Sequence, residues 1–288
     1  MKNVIKRMFD RGYLQDFCGE SMGIFILVFF GCGSVAVSVL FSAYQGLFQV
    51  AAIWGIGVTL AIYASRSLSC AHLNPAVSIA FVCAGRMPAR KLPVYLIAQF
   101  TGAFLAGLLL YFIFSDSIAK FELANNIMRG SSESVRTEMI FGENFPNPAI
   151  GQAVISVTLL NAFIAEGLGT FLLILFIFFL TEGCSFGRPD SKISPVFIGA
   201  AVAGIICIIA PLTQAGLNPA RDFGPRLVAY LAGWGKVAIP GSKGGFFTVY
   251  ILAPVLGGIL AAFIFTKIIQ PLMESRTIKL KEDCCEKS

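Results

Sequence analysis

Long runs of apolar residues, separated by short polar segments, dominate the pattern of this chain. Six runs are long enough to cross a membrane as helices, since a span needs about 20 apolar residues. They cover residues 17–41, 47–64, 92–114, 153–180, 193–212 and 246–269. Two shorter runs, residues 75–84 and 219–230, are too short to cross. They predict re-entrant half-helices that enter the membrane and stop inside it.

Both half-helices begin with the same motif, Leu-Asn-Pro-Ala. Its two copies are the first box, Asn74-Pro75-Ala76, and the second box, Asn218-Pro219-Ala220. An Asn caps a helix with its side-chain oxygen, and a Pro fits the first helical position, where no N–H is needed. The boxes therefore predict two helix starts inside the membrane.

The two halves of the chain repeat one plan. Glu20 begins Glu-Ser-Met-Gly-Ile-Phe-Ile-Leu in the first span, and Glu166 begins Glu-Gly-Leu-Gly-Thr-Phe-Leu-Leu in the fourth. Each half continues with a second span, a half-helix and a third span, so the odd number of spans inverts the second copy relative to the first. We expect an all-α membrane protein with six transmembrane helices, two re-entrant half-helices and an inverted 3+3 repeat. The expected parts are a first repeat at 12–114, a connector at 115–152, a second repeat at 153–270 and a tail at 271–288.

Composition and charge support a membrane protein and indicate its orientation. The chain is 56% hydrophobic and 13% charged, with a mean hydropathy of +0.78, which is too apolar for an ordinary soluble domain. Basic residues cluster in three segments that share one side of the membrane if there are six spans. They are Lys2, Lys6, Arg7, Arg11, Arg86, Arg90, Lys91, Arg276, Lys279, Lys281 and Lys287. The positive-inside rule makes that side cytoplasmic, so the net charge of +6 is a topology signal and does not indicate nucleic-acid binding.

The connector is polar, without a basic excess, and is predicted to lie outside the cell. It also holds a third Asn-Pro-Ala, at residues 147–149. This copy lacks an apolar lead-in and has no counterpart in the repeat. Since Asn-Pro is an ordinary turn signal, we expect a turn there rather than a third half-helix.

The two boxes also predict a chemistry at the membrane midplane. Each capping Asn uses its oxygen on the helix, which leaves the amide NH2 groups of Asn74 and Asn218 as donors. The half-helix dipoles add positive potential there, so a neutral molecule with an accepting oxygen is favoured and a cation is repelled. Unwound backbone at this depth is tolerated only where it lines a cavity. The residues expected to turn carbonyls toward the path are Cys70, Ala71, His72, Leu73, Thr213 and Gln214.

Charged residues predicted inside the membrane are candidates for function. Arg221 is interpreted as a positive donor at a constriction; the alternative is an Arg neutralised by Asp222, and both hold if Asp222 also fixes the local loop. Glu20 and Glu166 either relay protons or accept hydrogen bonds from the unwound loop of their own half, and their symmetric placement favours structural support. The single His, His72, lacks partners at metal-ligand spacing, so no metal site is predicted.

With these residues the chain resembles the major intrinsic protein family, the aquaporins and glycerol facilitators, over roughly residues 12–270. The motifs are Ala-His-Leu-Asn-Pro-Ala at 71–76, Gly-Leu-Asn-Pro-Ala-Arg-Asp-Phe-Gly-Pro-Arg at 216–226 and Ile-Trp-Gly-Ile-Gly at 53–57. Asp222 directly after Arg221 resembles the glycerol-facilitator, or aquaglyceroporin, branch. The resemblance implies an aquaporin-like fold, a homotetramer with one pore per protomer, and passive conduction without a cofactor.

The resemblance further implies a selectivity filter made of Trp54, Ile206, Ala215 and Arg221. Two of these positions depart from the branch, which typically has Gly where Ile206 stands and often an aromatic residue where Ala215 stands. Ala215 is expected to widen the filter on one side, and Ile206 to narrow it on another. Such an apolar wall opposite Arg221 suits a polyol, with its CH edge on Trp54 and its hydroxyls on Arg221.

The expected function is a passive transmembrane channel for glycerol and other small neutral polar solutes, which also passes water and excludes protons and ions. The alternative is a mainly water-selective pore, if Ile206 closes the filter to polyols. A third hypothesis is a proton-coupled transporter that uses Glu20 and Glu166. An enzyme is disfavoured because the sequence offers no nucleophile–base set. The expected location is the plasma or inner cell membrane, crossed several times, with both termini cytoplasmic and the lipid bilayer as a partner.

Overall fold

The structure is a computed structural model that describes residues 11–150, 156–183, 185 and 188–276. Several features of the sequence prediction lie outside the described residues: Lys2, Lys6, Arg7, the connector end at 151–152, the start of the second repeat at 153–155, and the tail from 277 to 288. The described part of the chain is helical and contains no strand.

The six spans and the two half-helices are confirmed. Among the described residues, six helices are long and apolar enough to cross a membrane. In chain order, the spans and half-helices are α1 Arg11–Phe41, α2 Leu47–Ser65, the half-helix α3 Pro75–Cys83, α4 Leu92–Ala124, α5 Leu159–Thr181, α6 Ser194–Thr213, the half-helix α7 Pro219–Ala229 and α8 Phe246–Arg276. The connector adds a short helix, Val135–Glu138. The fourth span starts later than the predicted residue 153 because Thr158 caps it, its hydroxyl accepting from the backbone N–H of Asn161 at 3.1 Å.

The third span runs further than predicted, so the connector begins at Asn125 rather than at about residue 115. The reason is visible at Glu122, a charged residue near the end of α4 that is only 7% exposed. Its carboxylate accepts hydrogen bonds from Arg129 and from Thr137, each at 2.8 Å. Because the connector satisfies this carboxylate, the helix continues with polar residues beyond the apolar run.

Helix packing follows the inverted repeat. Helix α1 packs against α2 and α4, and in the second half α5 packs against α6 and α8. Each half-helix packs mainly against the third span of the other half, α3 against α8 and α7 against α4. Helices α2 and α6 pack against each other. Exchanging the two halves reproduces the same contacts, as an inverted 3+3 repeat requires.

Two glycines mark the axis that relates the halves. A Cβ on Gly55 would lie 2.6 Å from the carbonyl oxygen of Gly199, and a Cβ on Gly199 would lie 2.3 Å from that of Gly55. Their separation along the chain equals that of Asn74 and Asn218, so they are equivalent residues of the two halves. Small residues let helix backbones approach closely in a membrane, and here they bring α2 and α6 together at the pseudo-twofold axis.

Candidate functional site

Each box starts its half-helix by the same local geometry. Asn74 has extended backbone (φ −160°, ψ 123°), and its Oδ1 accepts from the N–H of Ala76 at 2.8 Å. In the second box, Asn218 Oδ1 accepts from the N–H groups of Ala220 and Arg221 at 3.1 and 3.2 Å. Pro75 and Pro219 stand at the first turn, where a missing N–H costs nothing.

The amide nitrogens of the two Asn side chains link the halves. Asn74 Nδ2 donates to the carbonyl of Leu217 at 2.9 Å, and Asn218 Nδ2 donates to the carbonyl of Leu73 at 2.8 Å. The sequence prediction that the whole NH2 group is available therefore needs correction. Each amide has two N–H groups. One holds the opposite loop, and the other is left for a molecule beside it.

The loops before the boxes contain left-handed backbone at residues other than glycine. The φ angles are +51° at Ala71, +53° at Leu73, +63° at Gln214, +66° at Ala215 and +56° at Leu217. Such a conformation costs roughly 1–2 kcal/mol at each residue with a Cβ, so it persists only where the surroundings impose it.

Two buried carboxylates impose that conformation. Glu20 accepts from the N–H groups of His72 and Leu73 at 2.9 and 2.7 Å. Glu166 accepts in the same way, at 2.9 and 2.7 Å, from the two residues before Asn218. Both carboxylates are 0% exposed. This geometry supports the loop-holding interpretation of the two Glu residues over the proton-relay interpretation.

Two cavities lie against these loops. The first has a volume of about 290 Å³ and the second about 280 Å³. Trp54, Ile206 and Arg221 line both cavities, so these three residues mark the place where the cavities meet, the junction. Ala215 lines the first cavity beside them. The structure therefore brings together all four residues that the resemblance assigns to a filter.

Most residues predicted for the path also lie along the first cavity. They are Cys70, Ala71, His72, Leu73, Asn74 and Asn218. Gln214 lines the second cavity instead. Thr213 lines neither, in contrast to the prediction, because its carbonyl accepts from the Tyr250 hydroxyl at 3.1 Å and its own hydroxyl donates to Glu166. The remaining box residues line neither cavity and are buried at the helix starts: Pro75, Ala76, Pro219 and Ala220.

Arg221 contacts two groups at the junction. Its guanidinium carbon lies 4.0 Å from the centre of the Trp54 ring, a cation–π geometry. The guanidinium also forms an ion pair with Glu143 of the connector. Arg221 is 4% exposed, so a counter-charge is needed to keep it there.

Asp222 has a different partner from the one considered in the sequence. Its carboxylate accepts from Nε and Nη2 of Arg226, each at 2.9 Å, and from the backbone N–H of Glu143 at 2.7 Å. The structure thus pairs Arg221 with Glu143 rather than with Asp222. Asp222 thus holds the connector, whereas the loop before the second box is held by Glu166.

The connector carboxylates beside these arginines are strongly buried. Glu138 is 0% exposed, accepts from Asn144 Nδ2 at 2.6 Å and lies 3.7 Å from Arg226. Burial raises the pKa of Glu138 to about 7, against the opposing effect of the Arg226 guanidinium. Burial likewise raises the pKa of Glu143, and the Arg221 guanidinium opposes that rise. Both groups therefore ionise less readily than an exposed Glu.

The rest of the connector closes over the second cavity. The N–H of Asn144 donates to Gln214 Oε1 at 2.8 Å. Asn147 Nδ2 donates to the carbonyl of Ala210 at 2.8 Å, and Asn147 Oδ1 accepts from the N–H of Ala149 at 2.9 Å. Residues 147–149 form a turn, as expected, and no helix starts there. Asn147 nevertheless lines the second cavity, so the turn contributes to its wall.

Sequence reasoning missed two residues of this site, Glu143 and Arg226. Arg226 follows Asp222 by four residues on a predicted helix, a spacing that favours an ion pair and that points to this partner. Glu143 lies in a polar connector with several other acids, and its sequence surroundings carry no signal that separates it from them.

Together, the fold and the site define a class: a multi-pass membrane protein with an inverted repeat, whose paired half-helices meet beside two cavities that share three lining residues. The family model described as "Major intrinsic protein" matches residues 8–265. The chain belongs to the major intrinsic protein family.

Relatives with assigned names extend over most of the chain. The glycerol uptake facilitator protein of Pseudomonas aeruginosa is 42% identical over 244 residues, which cover 84% of each chain. That of Haemophilus influenzae is 38% identical over 90% of this chain and 96% of its own. The propanediol uptake facilitator of Citrobacter freundii is 36% identical over 92% of this chain and 95% of its own. Among solved structures, the aquaglyceroporin from Plasmodium falciparum matches with a TM-score of 0.76 and 28% identity, over 91% of this chain and 99% of that chain.

Proposed function

We propose that this chain is a passive transmembrane channel for glycerol and other small neutral polar solutes, which also passes water and excludes protons and ions. The observation that carries the proposal is the pair of cavities that meet at Trp54, Ile206 and Arg221, with Asn74 and Asn218 on the wall of the first. A solute crosses by moving from one cavity to the other past the junction.

The junction is the proposed selectivity filter, together with Ala215. Trp54 and Ile206 give it apolar surfaces, and Arg221 gives it hydrogen-bond donors. A polyol has a CH edge and a hydroxyl edge, so it satisfies both sides at once. The small side chain of Ala215 leaves room on the side of the first cavity, which offsets the bulk of Ile206.

Ion exclusion follows from fixed positive potential along the path. Arg221 supplies a guanidinium at the junction, partly balanced by its ion pair with Glu143, and the starts of α3 and α7 supply the positive ends of two helix dipoles. The second N–H of Asn74 and of Asn218 donates to the oxygen of a passing molecule. Donors at this place orient water and interrupt a proton-conducting file.

Glycerol is favoured over the water-selective alternative. The relatives named above are facilitators of glycerol or propanediol uptake, and the solved neighbour is an aquaglyceroporin. Ile206 at the junction is the feature that would favour the alternative. The open space beside Ala215 supports passage of a polyol past it.

We further propose that the termini are cytoplasmic, in the cell membrane, and that four copies assemble. Lys91 at the start of α4 contacts Asp16 of α1 at 2.8 Å, and Arg86 contacts Glu182 and Gln270 of α8. These contacts gather basic residues at one end of the bundle, which supports the positive-inside orientation. Cross-linking of the protein in native membranes tests the number of copies.

Uptake of labelled glycerol into proteoliposomes tests the channel against a proton-coupled transporter. A passive channel gives an initial rate that rises linearly with glycerol concentration and is unchanged by a proton uncoupler. A saturable rate that the uncoupler abolishes would favour the transporter that uses Glu20 and Glu166.

A further inference from the structure

Gly31 of α1 lies directly against the indole of Trp54. A Cβ added at Gly31 would lie 2.1 Å from Cζ3 and 2.2 Å from both Cε3 and Cη2 of that ring. Carbon atoms in contact stay roughly 3.5–4.0 Å apart, so no side chain fits here while the indole keeps its position. Gly31 is buried, and Trp54 is 4% exposed.

The three distances show how the ring is held. Near-equal distances to three adjacent ring carbons place the added atom over the ring face, since an approach at the edge would favour one carbon strongly. Arg221 lies over the same ring, with its guanidinium carbon 4.0 Å from the ring centre. The backbone of Gly31 and the Arg221 guanidinium both lie so close to the indole that they would clash if they lay on the same face of the ring. They therefore lie on opposite faces. The indole is therefore held between α1 and Arg221.

We propose that Gly31 sets the width of the junction and is a specificity-determining positioning residue, an inference that rests on the proposed function. Trp54 forms one wall of the junction, and the missing side chain at Gly31 lets this wall lie back against α1. Any side chain at position 31 displaces the indole toward Arg221. Displacement in that direction narrows the junction, and a narrower junction excludes a polyol before it excludes water.

A neighbouring glycine on the same helix provides a matched control. Glycine inside a helix is unfavourable, so each one calls for a packing reason. A Cβ at Gly33 would lie 3.6 Å from Leu110, an ordinary contact, and would touch no residue of the junction. Gly33→Ala therefore makes the same chemical change in α1 without moving Trp54.

The test measures glycerol and water permeability of the same proteoliposomes by stopped-flow light scattering. Gly31→Ala is expected to lower the ratio of glycerol to water permeability by about tenfold, as overpacking at a constriction should, whereas Gly33→Ala leaves the ratio at the wild-type value. Adding Trp54→Phe to Gly31→Ala removes the ring carbons that clash and restores the ratio to that of Trp54→Phe alone. An unchanged ratio in Gly31→Ala, or no restoration in the double variant, would overturn the inference.

A second readout does not depend on conduction. Thermal unfolding in detergent is expected to show that Gly31→Ala lowers the Tm of the wild type and has a much smaller effect in Trp54→Phe. If Gly31→Ala lowers the Tm equally in the wild-type and Trp54→Phe backgrounds, the contact on which the inference rests is contradicted. The same holds if Gly31→Ala prevents folding in both backgrounds. Wild-type vesicles that pass no glycerol would instead reject the proposed function, and the unfolding data would still decide the role of Gly31.

Discussion

Glu143 of the connector forms an ion pair with Arg221, the charged residue of the junction, although the two lie in different parts of the chain. The side chains are 3% and 5% exposed. The backbone N–H of Glu143 donates to the Asp222 carboxylate, and that of Asn144 donates to the Gln214 side chain. These two hydrogen bonds fix the connector in place around the ion pair. The segment that joins the two repeats therefore completes the site.

Glu143→Gln is expected to destabilise the protein by about 3–5 kcal/mol, because it leaves the Arg221 cation buried without a counter-charge. Chemical or thermal unfolding in detergent measures the loss. Glu133→Gln, an exposed acid in the same connector, is the control and should change little. Equal effects of the two substitutions would show that the ion pair does not hold Arg221.

Arg221→Val should admit protons and small cations. A unit charge about 4 Å from a passing cation raises its barrier by roughly 4 kcal/mol at an effective dielectric of 20. Its removal should therefore raise the leak by more than about tenfold, even though Glu143 offsets part of the charge. Removal also leaves the Glu143 carboxylate, which attracts cations. A pH-sensitive dye inside proteoliposomes reports the leak, with the exposed Lys236→Val as a charge-matched control. An unchanged leak would remove Arg221 from the proposed filter.

Ala215→Phe should reduce glycerol flux about tenfold more than water flux, because a ring at this position fills the space that lets a polyol pass Ile206. Paired glycerol and water permeabilities of the same vesicles measure the difference. If both fluxes fall by the same factor, Ala215 is not part of the size limit.

Ile206→Gly should widen the junction and admit larger polyols. We expect a roughly tenfold rise in the flux of a four-carbon polyol, with a smaller change in glycerol flux. Ile208→Gly is the control, since Ile208 lies on the same helix, is 75% exposed and lines neither cavity. Both substitutions lower helix propensity by the same amount, which is less than about 1 kcal/mol. A rise in both variants would indicate general loosening of α6 rather than a role at the junction.

A thiol reagent that reaches the first cavity should block the channel at Cys70. Cys70 is exposed and lines that cavity, whereas Cys18 and Cys83 are exposed but do not line it. Flux in the Cys70→Ser variant should become resistant to the reagent, and flux in Cys18→Ser should stay sensitive. Continued inhibition of Cys70→Ser would place the reactive thiol outside the path.

The features that recur in both halves could be predicted from the sequence. The boxes at Asn74 and Asn218 combine a cap, a proline and an apolar lead-in, so local chemistry alone locates the helix starts. Glu20 and Glu166 are charged residues at matching places of an apolar repeat, and the same loop-holding geometry appears at both. Symmetry made these residues recognisable because each half confirms the other.

Features without a symmetric partner were harder to predict. Glu143 reaches Arg221 only because the connector folds back over the second cavity, and polar connector residues carry no periodicity that reveals such a path. The end of α4 was placed too early because the partners of Glu122 come from the connector as well. The carbonyl of Thr213 accepts from Tyr250 of α8, a contact that depends on helix packing rather than on local sequence.

The most direct test of the central claim is stopped-flow volume change of proteoliposomes under a glycerol gradient, compared with an impermeant-osmolyte gradient. The account predicts fast shrinkage in both gradients, followed by fast re-swelling in glycerol that empty liposomes lack. Fast water efflux without glycerol entry would contradict it. In that case Ile206 would set the size limit, and the chain would be a water channel.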